Sequence, residues 1–142
     1  MITISAFRWV PEFARGQVRD LRVRWALEEA GLPYKTRLLE QGDQDKPEYR
    51  RMQPFGQVPI FEEDGSALFE SGVIVLHIGE RCEALLPRDP GARARAAQWV
   101  VAAARTGTRA NARAGDEPVW TAWRGEEGPW KSWWQLLLLG WR

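Results

Sequence analysis

Residues 2–40 carry three successive patterns that restrict the fold more than any other part of the chain. The segment "ITISAF", residues 2–7, alternates apolar and polar side chains with the period of a β-strand. The segment "GQVRDLRVRWALEEAG" follows, with apolar residues at helical spacing from Val23 to Ala30, and "YKTRLLE", residues 34–40, has the pattern of a second strand. A strand, a helix and a strand at this spacing form a right-handed βαβ unit, so we predict that the two strands are parallel.

The next segment adds a hairpin and another helix. A short helix is predicted to open at Pro47, where a missing N–H costs nothing. The segments "VPIFEE" and "SALF" flank Asp64-Gly65, a dipeptide that favours a tight turn between antiparallel strands. A helix with Ser71 as its N-cap is predicted to run to about Cys82. The order βαβ, short helix, ββα predicts an α/β fold over residues 1–83, a thioredoxin-like mixed four-stranded sheet flanked by helices.

Beyond residue 83 the chain changes character. Residues 84–91 have the pattern of a linker, and its Asp89-Pro90 pair can cap and open a helix. The segment "ARARAAQWVVAAA", residues 92–104, is predicted to be that helix, the start of an all-α domain. Residues 105–142 hold six of the nine tryptophans among scattered Arg and Gly, without a sustained helical or strand period. We predict an irregular tail there.

Two hypotheses account for the tail. In the first, the coding frame changed near Ala104, because GC-rich DNA read out of frame tends to encode Arg, Gly, Ala, Pro and Trp. In the second, the tail is a genuine interaction segment, and "WKSWWQLLLLGW" is an amphipathic stretch that binds a membrane or a partner. We favour the frame change, and with it a truncated C-terminal part.

Composition argues against several classes of function. The formal net charge is +1, so no overall field favours nucleic acid or a membrane surface as a partner. The one cysteine, Cys82, rules out an internal disulfide or a paired-cysteine zinc site, and no metal site is predicted. The start "MITISAFRWV" lacks the pattern of a signal peptide, and the apolar run "LLLLGW" is much shorter than the roughly 18 residues of a membrane span. We expect a cytoplasmic protein that binds neither nucleic acid nor membrane.

Two local features predict a ligand site. Proline lacks the N–H that a central strand uses, so Pro59 at a strand opening indicates either an edge strand or a cis peptide bond that turns the Val58 backbone toward an extended ligand. The pair Glu70-Ser71 opens a helix whose N–H groups attract a carboxylate, while Glu70 can hold an ammonium. Alone, such a pair is most often a simple helix cap. A dozen residues after "GQVP", it predicts a site for the charged end of an amino acid.

These motifs resemble a known family. The segment "PFGQVPIFEEDG" followed by "LFESGVIVLHI" resembles the second half of the N-terminal domain of soluble, bacterial-type glutathione S-transferases, and "WALEEAGLPY" resembles the end of its first helix and the start of its second strand. The resemblance covers about residues 2–101 and implies a glutathione site with a cis bond before Pro59. The residues implied to contact glutathione are Gln57 at the glycyl part, Val58 and Pro59 at the cysteinyl part, and Glu70 with Ser71 at the γ-glutamyl end.

The resemblance also implies an activity. Glutathione transferases bind glutathione as a co-substrate and activate its thiol for attack on an electrophilic small molecule, and they are usually homodimers. In the family an all-helical second domain completes the electrophile pocket, so we expect its loss to impair catalysis. The alternative is a non-enzymatic, transferase-like binding or interaction module. A glutaredoxin-like oxidoreductase is disfavoured, because no cysteine occurs near the first helix.

The thiol-activating residue departs from the family's pattern. Members use a Tyr near the end of the first strand, or a Ser or Cys at the start of the first helix, and "AFRWVPEFARGQVRDLRVRW" contains none of these. Counting back from "ALEE" places the Ser or Cys position at about Arg19, within a predicted basic stripe of Arg15, Arg19 and Arg22. An arginine at a helix N-terminus can lower a thiol pKa. Arg19 is therefore the candidate catalytic residue, with Gln17 as second choice. The alternative is a solvated basic face paired with nearby carboxylates.

Overall fold

The structure, a computed structural model, describes residues 1–16 and 18–110. These residues form four strands and four α-helices, with short 3₁₀ turns before the first two helices. In chain order the elements are β1 (Ile2–Phe7), a 3₁₀ turn (Glu12–Ala14), α1 (Asp20–Glu29), β2 (Tyr34–Leu39), a second 3₁₀ turn (Asp43–Asp45), α2 (Pro47–Arg50), β3 (Phe61–Glu63), β4 (Ser66–Leu68), α3 (Ser71–Gly79) and α4 (Pro90–Ala110).

The four strands form one mixed sheet in the order β2-β1-β3-β4. Ile4 of β1 lies opposite Thr36 in the parallel pair with β2 and opposite Phe61 in the antiparallel pair with β3. The hairpin between β3 and β4 turns at Asp64 and Gly65, whose φ angles of 50° and 81° are the left-handed values that a tight hairpin requires. The predicted thioredoxin-like α/β fold, with its parallel βαβ unit and its hairpin, is confirmed.

The main core lies between one face of the sheet and the helices α1 and α3. Ile4 of β1, Val23 and Leu27 of α1, and Ile74 and Ile78 of α3 are all fully buried in it. Residues three or four apart lie on the same face of a helix, so the apolar spacing of α1 and α3 directs these side chains inward. The core therefore fixes both helices against the sheet.

Helix α3 packs against α4 as well as against the sheet. A Cβ added to Gly72 would lie 3.2 Å from the Ala104 Cβ, so the two helices approach closely at this point. Val100 of α4 is buried at the contact, whereas Val73 of α3 remains 51% exposed. Helix α4 thus covers part, but not all, of the outer face of α3.

The boundaries of α3 differ from the prediction. Helix α3 begins at Ser71 and its N-cap is Glu70, so the prediction of Ser71 as the N-cap is wrong. It ends at Gly79 rather than near Cys82, because the next turn tightens: the Cys82 N–H donates to the Gly79 carbonyl, three residues back, at 3.0 Å. The Glu70 backbone has a non-helical conformation and Ser71 is already helical, so the helix starts one residue earlier than it would with Ser71 as the cap.

The predicted cap of α4 is confirmed. The carboxylate of Asp89 accepts a hydrogen bond from the Ala92 N–H at 2.8 Å, and Pro90 is the first helical residue. The helix continues to Ala110, six residues beyond the predicted end at Ala104. Once a helix has formed, each further residue gains a backbone hydrogen bond, so a helix can extend beyond the end of its amphipathic pattern.

Residues 111–142, which make up most of the predicted tail, lie outside the described residues. The structure therefore tests neither hypothesis about the tail. In the part of the chain that the structure describes, no helix combines the length and the apolar character needed to cross a bilayer.

Candidate functional site

Three predicted site segments emerge at the same end of the sheet. Phe61 at the start of β3 lies opposite Leu68 at the end of β4. The residues just before Phe61 and those just after Leu68 therefore leave the sheet at the same end. The C-terminal half of β1 points to the same end, where the Ser5 N–H donates to the Ile60 carbonyl at 3.0 Å. The chain leaving β1 then leads to α1. This end of the sheet therefore collects the segment before β3, the Glu70-Ser71 pair and the start of α1.

The peptide bond between Val58 and Pro59 is cis, as predicted. Both residues are buried, and Pro59 lies two residues before β3, outside the strand whose opening the sequence assigned to it. Among the hydrogen bonds between described residues, none involves the N–H or the C=O of Val58. Unpaired backbone groups in a buried residue are uncommon. Within the described part of the chain, both groups are thus left without a hydrogen-bond partner.

A buried pair of hydroxyls holds both ends of this segment. The Ile60 N–H donates to the Ser5 Oγ at 2.7 Å, and the Tyr49 hydroxyl donates to the Gln57 carbonyl at 2.7 Å. The two hydroxyl oxygens are 2.9 Å apart. Because the Tyr49 proton goes to Gln57, Ser5 must donate to Tyr49, which fixes the direction of the whole chain. Burial raises the pKa of Tyr49, although the bond from Ser5 opposes this shift. Neither Ser5 nor Tyr49 was predicted from the sequence as a site residue.

Arg19 lies at the N-cap of α1 and reaches the segment before β3. Its Nη1 donates to the Oε1 of Gln57 at 3.0 Å. The predicted catalytic candidate thus contacts one of the predicted glutathione-binding residues, although 37 residues separate them in the sequence. Gln17, the second candidate, lies outside the described residues.

The rest of the predicted basic stripe is partly wrong. Arg15 follows the 3₁₀ turn as its C-cap residue and is not part of α1, because the helix begins only at Asp20. Arg22 is half-buried, and this burial lowers its pKa. The nearby positive charge of Arg19 lowers the pKa further. Asp20 is buried and lies 3.7 Å from Arg24, and its burial raises its pKa against the effect of Arg24. Arg19 forms no ion pair with an acid among the described residues.

Glu70 and Ser71 form the other side of the site. Glu70 has φ 68° and ψ 109°, outside the regions that are common for residues with a Cβ. Its side chain is exposed and makes no hydrogen bond or ion pair with any described residue, while its carbonyl accepts the Ile74 N–H at 3.0 Å and so closes the first turn of α3. Ser71 is buried at that turn. Strained backbone of this kind is concentrated at binding sites.

The site resembles that of a known family in both sequence and structure. Residues 13–80 match the family model described as "Glutathione S-transferase, N-terminal domain". The chain is 39% identical over 62 residues to glutathione S-transferase hmp2 of Hypomyces subiculosus, covering 42% of this chain and 29% of that protein. It is 34% identical over 94 residues to the glutathione S-transferase-like protein gedE of Aspergillus terreus, covering 62% of this chain and 42% of that protein.

A solved glutathione S-transferase structure also resembles this chain. The theta class glutathione S-transferase of Xanthomonas axonopodis pv. citri, solved with glutathione bound, superposes with a TM-score of 0.64 at 30% identity. The match covers 77% of this chain and 51% of that one. The chain spans less than half of the length of the two fungal relatives and about half of this bacterial one.

Proposed function

Because residues 13–80 form a glutathione S-transferase N-terminal domain, we propose that this chain binds glutathione and activates its thiol for attack on an electrophilic small molecule. The observation that carries the proposal is the contact of 3.0 Å between Arg19 and Gln57. It brings a guanidinium that has no acidic partner among the described residues next to the cis Val58-Pro59 segment, whose Val58 backbone groups are likewise unpaired within that part of the chain. A cation and an extended hydrogen-bonding edge are what a tripeptide with a reactive thiol requires.

The charges of glutathione complement the described groups. Its cysteinyl backbone can pair with the N–H and C=O of Val58, as an added strand pairs with a sheet edge. Its γ-glutamyl end carries an ammonium and a carboxylate: the exposed carboxylate of Glu70 suits the first, and the N–H groups at the start of α3 with the Ser71 hydroxyl suit the second. Because the Oε1 of Gln57 accepts from Arg19, its Nε2 is left to donate to the glycyl carboxylate.

Arg19 supplies the activation in this proposal. A guanidinium stays charged at any physiological pH, so it favours the thiolate over the thiol. At about 5 Å and an effective dielectric constant of about 40, the attraction is roughly 1.7 kcal/mol, which lowers a thiol pKa by about one unit from about 8.5. The thiol proton passes to solvent, and the thiolate sulfur forms a bond to the electrophile as the leaving group departs with its electron pair.

A non-enzymatic, transferase-like module is the second candidate, and one observation favours it. Residues 6–25 contain no Tyr, Ser or Cys that could hold the sulfur as a hydroxyl or thiol does in the family. Such a module would bind glutathione, or a protein, without lowering the thiol pKa. The homodimer that is usual in the family belongs to the proposal as well, and light scattering after size-exclusion chromatography tests it.

Calorimetric titration of glutathione into the full chain tests the proposal. We expect binding at millimolar or lower concentration, a loss of about tenfold in affinity for Glu70→Ala, and no change for Glu29→Ala on the exposed end of α1. Ultraviolet absorbance of the thiolate then gives the pKa of the bound thiol. A lowered pKa supports the transferase, and binding with an unshifted thiol pKa supports the module. An absence of binding at millimolar glutathione overturns both glutathione-binding versions.

A further inference from the structure

The segment from Gln57 to Ile60 is joined to β1 by a backbone hydrogen bond from the Ser5 N–H to the Ile60 carbonyl, and two side-chain hydroxyls hold it as well. Its last N–H, that of Ile60, donates to the Ser5 hydroxyl, and its first carbonyl, that of Gln57, accepts from the Tyr49 hydroxyl. Between these two anchors, Val58 makes no backbone hydrogen bond with a described residue. The two anchoring hydroxyls contact each other at 2.9 Å, so the ends of the segment are linked through Ser5 and Tyr49.

The hydroxyl of Tyr49 and its ring have separable tasks. The ring packs with Leu39, Val58 and Ile60 in a small core on the second face of the sheet. The hydroxyl is not needed for that packing, and burying it without a partner would cost about 1–3 kcal/mol. Its two bonds, to Ser5 and to Gln57, satisfy it while directing it at the segment that carries the cis bond.

We propose that Tyr49, acting through Ser5, is a positioning residue that holds the Gln57–Ile60 segment in the shape that receives glutathione. This inference rests on the proposed function. Tyr49 touches no substrate in this scheme. It fixes the carbonyl of Gln57 directly and the N–H of Ile60 through Ser5, and so determines where the unpaired groups of Val58 point. Loss of the hydroxyl would leave the segment in place but less well ordered, and ordering it on binding would then reduce affinity.

The test compares Tyr49→Phe with Tyr34→Phe in the full chain. Both substitutions remove one phenol oxygen and keep the ring, but the Tyr34 hydroxyl donates to the Glu28 carboxylate at 3.0 Å, at the opposite end of β2 from the site. Amide hydrogen exchange, followed by NMR without ligand, reports how tightly the Ile60 N–H is held. Calorimetry reports the glutathione Kd, and thermal unfolding reports stability.

We expect Tyr49→Phe to speed exchange at Ile60 and to raise the Kd about fivefold, the effect of one buried hydrogen bond of about 1 kcal/mol. Tyr34→Phe should change neither quantity. Ser5→Ala should act in the same direction, and the double variant should raise the Kd by less than the product of the two single effects, since the two hydroxyls form one network.

Three results would overturn the positioning role. The first is a Tyr49→Phe chain with a lower Tm but with Ile60 exchange and Kd equal to those of Tyr34→Phe, which is the behaviour of an ordinary core residue. The second is strict additivity of Ser5→Ala and Tyr49→Phe, which would deny action through Ser5. The third arises if the unmodified chain does not bind glutathione: the proposed function then fails, and unchanged Ile60 exchange in Tyr49→Phe refutes the positioning role independently of it.

Discussion

Replacement of Glu70 by glycine is expected to strengthen the fold and to weaken the site at the same time. Glu70 has φ 68° and ψ 109°, a conformation that costs a residue with a Cβ about 1–3 kcal/mol and that glycine adopts readily. Glycine loses roughly 0.5–1 kcal/mol more conformational entropy on folding, which leaves a net gain of about 1 kcal/mol. For a domain of this size, that gain raises the Tm by roughly 3–8 °C.

The same substitution removes the carboxylate proposed to hold the ammonium of glutathione. A hydrogen bond to a charged group contributes about 1.5–3 kcal/mol, so the Kd should rise by roughly 10-fold to 150-fold. Glu70→Gln separates the two effects. It keeps the backbone strain and removes the charge, so it should weaken binding without raising the Tm.

Asp64→Gly is the matched control. Asp64 also has a positive φ, 50°, but it lies in the hairpin turn between β3 and β4, away from the proposed ligand contacts. An Asp tolerates the left-handed region, so the stability should change by only a few tenths of a kcal/mol, and the Kd should not change. Thermal unfolding and calorimetry measure both quantities. A Glu70→Gly chain that is no more stable than the original refutes the strain argument, and an unchanged Kd refutes the role of the carboxylate.

Three further predictions concern the charge at the start of α1 and the packing of α3. Arg19→Met should raise the pKa of the bound glutathione thiol by about one unit, measured by thiolate absorbance, while Arg19→Lys should keep most of the effect; equal values in all three chains would exclude Arg19. Burial raises the pKa of Asp20 in the folded state above its unfolded value, so its contribution is fully present below the unfolded pKa and is lost as pH rises through the folded pKa. The stability of the unmodified chain relative to Asp20→Asn should therefore fall in urea unfolding as the pH rises above about 3.9, the usual pKa of an unfolded aspartate, and a constant difference would contradict this. Gly79→Ala would bring a Cβ to 2.9 Å from the Leu86 Cβ and should destabilise the chain by about 1–3 kcal/mol, more than the roughly 1 kcal/mol of helix propensity that alanine gains; a more stable variant would refute the close contact.

The order of the elements could be predicted because each of its signals is local. The alternation in residues 2–7, the helical spacing from Val23 to Ala30 and the Asp64-Gly65 dipeptide each depend on a few neighbouring residues. Chain topology then allows few arrangements, since a strand, a helix and a parallel strand connect with one hand. The sheet observed in the structure follows from these constraints.

The start of a helix was harder to predict than its existence. A serine before an apolar run favours an N-cap, yet the cap of α3 is Glu70, whose backbone angles depend on how the chain leaves β4. At α1 the regular spacing of the arginines suggested that Arg15 belonged to the helix. The 3₁₀ turn Glu12–Ala14 instead ends before it, and α1 begins only at Asp20. For both α1 and α3, the local pattern predicted the helix but not its first residue.

The residues expected to touch a ligand could be found from the sequence, whereas those that support them could not. The difference is whether the signal lies within a short segment or depends on a contact between distant residues. A proline after Val58 and a Glu-Ser pair at a helix start are unusual backbone chemistry, so they stand out within a short segment. Ser5 lies in an alternating strand, where a polar residue indicates a solvent-facing side. It is buried because Tyr49 covers that face, and the two are 44 residues apart. Only the fold makes Ser5 and Tyr49 neighbours. No local motif therefore predicts this hydrogen-bonded pair from the sequence.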